Sequence, residues 1–260
     1  MNDLKPRLFA CPDLSRADAP PKPVIATPLG GVKVNAIVDG VSIWNKPVSA
    51  GFVLQSGASV ICWQTDRVQV ELLVCRPILT RYGKENCDDC VAALWRIAAH
   101  GDGVSLEFAG TWLPGHQWHD AGADTGQGVF SWLWHGDKAD GAIGTEDDEW
   151  LERRAANGDW LPKRWQNRLH ASGLTAGEPR NPDILTCIPR VDESCEGLGI
   201  VLLPELNTGE VCQSQWVVAW AQSHTKRNPA MAVDVAYQQI LAGAGLIEPA
   251  PRFPDMQPRE

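Results

Sequence analysis

Residues 87–100 read CDDCVAALWRIAAH, and the fold class turns on them. Val91, Leu94, Trp95 and Ala98 fall at helical spacing along one stripe, so the segment predicts a helix that opens at Cys87. On the upstream side, residues 68–75 alternate Val68, Val70, Leu72 and Val74 with Gln69 and Glu71, the pattern of a half-buried strand. Residues 32–38 (VKVNAIV) and 58–63 are also strand-like, and the first is followed by Asp39-Gly40, a two-residue hairpin signal. Downstream, residues 104–112 and 129–135 return to strand character. In the second of these, Phe130, Trp132 and Trp134 face one way and Ser131, Leu133 and His135 the other.

Thr145 reads as the N-cap of a helix beginning at Glu146, with acids in its first turn and Arg153-Arg154 later, as the helix dipole favours. A second helix is predicted over 162–171. The last third carries strand patterns at 183–189, 198–203 and 211–221, then a final helix over 229–242 with Asn228 as N-cap and Pro229 at its first position. Strands follow one another without intervening helices, so a regular parallel fold is disfavoured. The pattern predicts an α+β fold, mainly antiparallel sheet with about four helices. One globular domain is expected over 31–245, between Pro-rich arms at 1–30 and 246–260. No repeat of 20 to 50 residues is evident.

The formal charge of −9 opposes a broad nucleic-acid footprint. Two local basic groups, Lys163, Arg164 and Arg168, and Lys226-Arg227, read as solvated helix ends. No apolar run precedes Leu8-Phe9-Ala10-Cys11, and none approaches the ~20 residues of a membrane span. The expectation is a soluble cytoplasmic protein that does not engage membrane. Most of the eight cysteines are then expected to stay reduced, with Cys62, Cys75 and Cys212 acting as small buried hydrophobes.

Three groups of residues carry candidate chemistry. Cys87 and Cys90 are spaced to share one tetrahedral ion such as zinc, although no second close pair completes the set; Cys75, His100 or Cys187 and Cys195 would have to. His116, His119, Asp120 and His135 lie in a Gly-rich, acidic stretch, and such ligands suit a catalytic zinc or iron with an open position for water. Twelve tryptophans against five Phe and two Tyr make the third. Trp112, Trp118, Trp132 and Trp134 fall in or beside the His/Asp stretch and could form a stacking surface. No nucleophile elbow, phosphate-binding loop or complete dinucleotide fingerprint is present. These features predict a non-catalytic intracellular binding or assembly protein, a subunit of a larger complex. It would meet a protein partner through its tryptophan surface and Pro-rich arms. A metal-dependent hydrolase and a carbohydrate-binding module are the alternatives.

Overall fold

The computed structural model describes residues 8–9, 15–16, 24–126, 129–166, 186–190 and 198–247. In chain order the first strands are β1 (Ser15–Arg16), β2 (Val24–Thr27), β3 (Gly30–Val38), β4 (Val41–Ser42), β5 (Ala50–Val53), β6 (Ser59–Gln64) and β7 (Val68–Cys75). After helix α1 (Arg81–Asn86) come β8 (Asp89–Ala99), β9 (Val104–Trp112), β10 (Asp120–Gly126), β11 (Val129–His135) and β12 (Ala139–Glu146). Helix α2 (Asp148–Asn157) precedes β13 (Thr186–Arg190), β14 (Leu198–Leu206) and β15 (Val211–Gln222), and α3 (Tyr237–Gly243) follows them.

The strands form two antiparallel sheets. One has nine strands in the order β1-β5-β6-β7-β8-β15-β12-β11-β10, and the other has six, β13-β14-β9-β3-β2 with β4 beside β3. They pack face to face as a sandwich. Val34, Ala36, Phe108 and Leu203 of the smaller sheet meet Trp63, Trp95, Trp132 and Trp216 of the larger in one buried cluster. Gly110 lets them close, because a β-carbon there would lie 3.0 Å from the Trp216 ring.

The α+β expectation is therefore corrected to a β-rich sandwich, with three short α-helices among the described residues. The decisive segment is β8, a central strand paired with β7 and β15. Val91, Ala93, Trp95 and Ile97 lie on one side of it, and Cys90, Ala92, Leu94 and Arg96 on the other. A strand covered on both faces has no polar alternation, so its apolar run matches a helical stripe by chance. The same covering overturns the half-buried reading of β7, whose Gln69 and Glu71 are both buried.

What covers the outer face of the large sheet is a second apolar layer. Phe9, Val233, Val235, Ile240 and Leu241 pack there on Val60, Leu73, Leu94, Val217 and Ala219. Thus part of the segment read as an N-terminal arm, Phe9 and β2, is built into the fold. The Asp39-Gly40 hairpin forms between β3 and β4, both turn residues having positive φ (50° and 74°), as its turn type requires.

The helix expected from Glu146 starts later. Thr145 and Glu146 end β12, and the N-cap is Asp147, whose carboxylate accepts from the Trp150 N–H at 2.9 Å. Asp147→Ala is expected to cost about 1 kcal/mol in a urea melt; an unchanged midpoint would deny it the capping role. The helix predicted over 162–171 is only a short 3-10 turn, Lys163–Trp165, in the described part, and its remainder lies outside the described residues. The final helix splits into a 3-10 turn, Pro229–Ala232, capped by Asn228, and α3.

Candidate functional site

The tryptophans are core, not surface. Seven are buried, including Trp112, Trp132 and Trp134, and the other five, Trp118 among them, are half-buried. They join in edge-on and tilted contacts, such as Trp44 with Trp63 (4.7 Å, 83°) and Trp112 with Trp134 (5.4 Å, 79°). Strand alternation alone turns Trp132 and Trp134 inward. Among the described residues no indole is more than half exposed, which corrects the reading of Trp112, Trp118, Trp132 and Trp134 as a partner surface.

The His/Asp stretch does not converge on a point. His116 stacks on Trp118 at 4.4 Å. His119 Nδ1 lies 3.7 Å from Asp137, while His135 Nδ1 lies 3.0 Å from Asp140. Asp120 is in register with His135, but its carboxylate accepts from the Ala121 N–H. Of the Gly-rich stretch, residues 120–126 form strand β10 at the edge of the large sheet, and of the four candidate groups only Asp120 lies on it. Among the described residues no three His, Cys, Asp or Glu side chains are grouped to hold an ion.

Cys87 and Cys90 flank a shallow groove of about 320 Å³ lined also by Arg76, Ile78, Lys84 and Asp89. Their thiols turn to backbone carbonyls, Cys87 to Gly83 (3.4 Å) and Cys90 to Ala232 (3.9 Å). Burial raises the pKa of both, and Asp89 adds to it. Of the basic groups, Arg164 binds Glu210 at 2.6 Å and Arg227 binds Asp88, while Arg168 lies outside the described residues.

A different constellation stands out on the outer face of the large sheet. β7, β8 and β15 bring Glu71, Arg96 and Gln213 into one cross-strand row, with Gln215 two residues along β15 and Glu146 beside it on β12. All five are buried. Glu146 is held by Arg154 Nη1 at 2.7 and 2.6 Å; burial drives its carboxyl pKa up and Arg154 opposes this. Arg154 also donates to the Asp159 carbonyl, and the Tyr237 hydroxyl donates to the Asp159 carboxylate at 2.8 Å.

Arg96 is unlike Arg154. Its Nε donates to Gln213 Oε1 and its Nη1 to the Leu8 carbonyl, both at 2.9 Å, and among the described residues no carboxylate lies within ion-pair distance. Its guanidinium lies over the rings of Phe9 (4.4 Å) and Trp160 (3.7 Å). Burial lowers its pKa to about 10, against the favourable fields of Tyr237 and Glu71. Trp160 reaches it from a left-handed backbone (φ 53°), costly for so bulky a residue and characteristic of functional positions. Beside Arg96, Gln213 Nε2 and Gln215 Oε1 are buried without a partner among the described residues.

None of Glu71, Arg96, Glu146, Gln213 and Gln215 belongs to the three groups that the sequence singles out. The available signal was polar: Glu71, Arg96, Gln213 and Gln215 interrupt apolar runs. Strand periodicity in β8 and β15 puts Arg96, Gln213 and Gln215 opposite the tryptophan face.

No protein-family model matches the chain, and no curated protein does. Among solved structures, a putative kojibiose phosphorylase from the human microbiome is similar over 82% of this chain, with 9% identity and a TM-score of 0.40. The match covers 24% of that protein's length.

Proposed function

We propose that the chain is a receptor for a small polar molecule, bound on the outer face of the large sheet at Arg96, Gln213 and Gln215. The observation that carries this reading is the pair of amide atoms, Gln213 Nε2 and Gln215 Oε1, that have no partner among the described residues, beside a buried cation with no described carboxylate at ion-pair distance. Leaving each such atom buried and unsatisfied costs about 1–3 kcal/mol. Eight tryptophan Nε1 atoms and His116 Nδ1 are likewise buried without a partner among the described residues. What sets this pair apart is that a donor and an acceptor lie on one strand face beside an arginine under a strained tryptophan, where one ligand would supply both partners. The ligand would present an acceptor to Gln213 and a donor to Gln215, the two edges of an amide or an amino-acid derivative.

The test is an isosteric change. Gln213→Glu keeps an acceptor for Arg96 Nε, removes the unpartnered donor and gives Arg96 a counter-ion. Thermal-shift screening with N-acetylated amino-acid amides, free amino acids and dicarboxylates should find a wild-type ligand. The variant should bind it at least ~10-fold more weakly, while melting no lower than wild type, because one site's binding function is exchanged for stability. Equal binding by the variant, or no ligand for wild type in the panel, would refute the proposal.

A further inference from the structure

We infer that the molecule this site takes is an aromatic amide, because the chain already seats one there. The inference rests on the receptor reading above and names the ligand class. A single peptide unit joins Leu8 to Phe9. Its carbonyl accepts from Arg96 Nη1, and its N–H donates to Glu71 Oε2, each at 2.9 Å. Glu71 and Arg96 are register partners on adjacent strands, so one amide spans the acceptor of one strand and the donor of the next.

Phe9 completes the set. Its ring is fully buried and stacks on the same guanidinium that lies over Trp160. The contacts join residues 62 and 88 positions apart, so no local chain constraint places this peptide there. Gln69 Nε2 donates to the other Glu71 oxygen at 3.1 Å, orienting the carboxylate. On the far side of Arg96, Gln213 Nε2 and Gln215 Oε1 repeat the donor and acceptor of an amide reader without being filled. A ring flanked by two amides matches both halves.

Leu8–Phe9 is therefore an internal stand-in, and a free ligand must displace it. A tethered competitor acts at an effective concentration in the millimolar range, so free ligand binds wild type weakly until the tether is loosened. The probe is N-acetyl-L-phenylalaninamide, with N-acetyl-L-leucinamide as the aliphatic control, titrated calorimetrically into the full-length chain. Phe9→Ala should bind the aromatic probe at least ~10-fold more tightly than wild type, as expected when a competing occupied state is removed. The aliphatic control should bind that variant at least ~10-fold more weakly than the aromatic probe, since it cannot stack on the guanidinium.

Phe9 is also core, so the variant can fail to fold. Wild type then carries the test: millimolar aromatic probe should accelerate hydrogen exchange at the Phe9 amide, whose acceptor Glu71 is being taken, and the aliphatic control should not. A folded Phe9→Ala chain without aromatic preference, or a Phe9 amide whose exchange ignores the probe, overturns the inference. If a panel ligand still binds wild type and is lost in Gln213→Glu, the aromatic-amide inference alone falls; if none binds, the receptor reading falls with it.

Discussion

Arg154→Met is expected to destabilise the protein by about 3–5 kcal/mol at neutral pH, because it leaves Glu146 buried with no counter-charge. The pair is almost fully enclosed, with 3% and 2% of the two side chains exposed, and one guanidinium nitrogen meets both carboxylate oxygens. In wild type, burial raises the Glu146 pKa and Arg154 opposes it. Without the arginine only the raising effect remains. A carboxyl whose folded pKa is raised gives stability that is full below the unfolded pKa and is lost as pH rises through the folded value. The variant should accordingly regain stability on acidification, as Glu146 becomes neutral. Urea melts across the mildly acidic to neutral range measure this directly. Adding Glu146→Gln should recover most of the loss, since removing both charges is far cheaper than removing one. A loss under ~1 kcal/mol that does not change with pH would mean water reaches the carboxylate, in conflict with its burial.

That ion pair also marks where the sequence misleads. Glu146 stands first in the run Glu146-Asp147-Asp148-Glu149, which reads as the acidic first turn of a helix. Three of the four do serve α2, with Asp147 as cap and Asp148 and Glu149 in its first turn. Glu146 itself is the last residue of β12, opposite Val129, and its partner comes from a full two turns into the following helix. Charge patterning locates the helix start to within two residues. It cannot tell a solvated carboxylate from one the sheet will bury.

β8 is the larger failure and has the same origin. The strands with one clear tryptophan or valine face, β3, β9 and β11, were legible because inner and outer positions differ in polarity. In β8 the outer positions Cys90, Ala92 and Leu94 are as apolar as the inner ones, because the layer around Val233, Val235 and Ile240 covers them. With both faces apolar, Val91, Leu94, Trp95 and Ala98 fit a helical stripe as well as a strand. The covering layer is assembled from segments far away in sequence, so no local window contains it. For the same reason the tryptophans attracted attention as a surface while Arg96, Gln213 and Gln215 did not. An unpartnered amide is recognised only when its neighbours in space are known.

The second large effect lies with the thiols. Burial pushes the Cys75 pKa from 9.0 up to about 12, and raises Cys90 and Cys212 as well; for Cys90 the neighbouring Cys87, Asp89 and Cys75 add to burial. Their surroundings explain the direction. Cys75 donates to the Ile240 carbonyl under α3, and Cys212 lies fully buried between the sheets. In the unfolded chain these thiols ionise near 9, whereas in the folded one they stay protonated. Their contribution is thus intact below about pH 9 and is lost as pH rises through the folded values, at about 1.4 kcal/mol per pH unit for each thiol. For Cys75 alone the limit is about 4 kcal/mol. Urea melts from neutral pH to about 10.5 should show a stability that is flat and then falls steeply. Cys212→Ala should lower the neutral value and make the alkaline fall shallower, since one raised thiol is gone. In the native protein at mildly alkaline pH, Cys75, Cys90 and Cys212 should resist a thiol reagent until denaturant is added. Identical alkaline slopes in wild type and Cys212→Ala, or rapid native labelling of those three, would show that the packing around these thiols, between the sheets for Cys212 and under the outer layer for Cys75 and Cys90, opens far more readily than their burial allows.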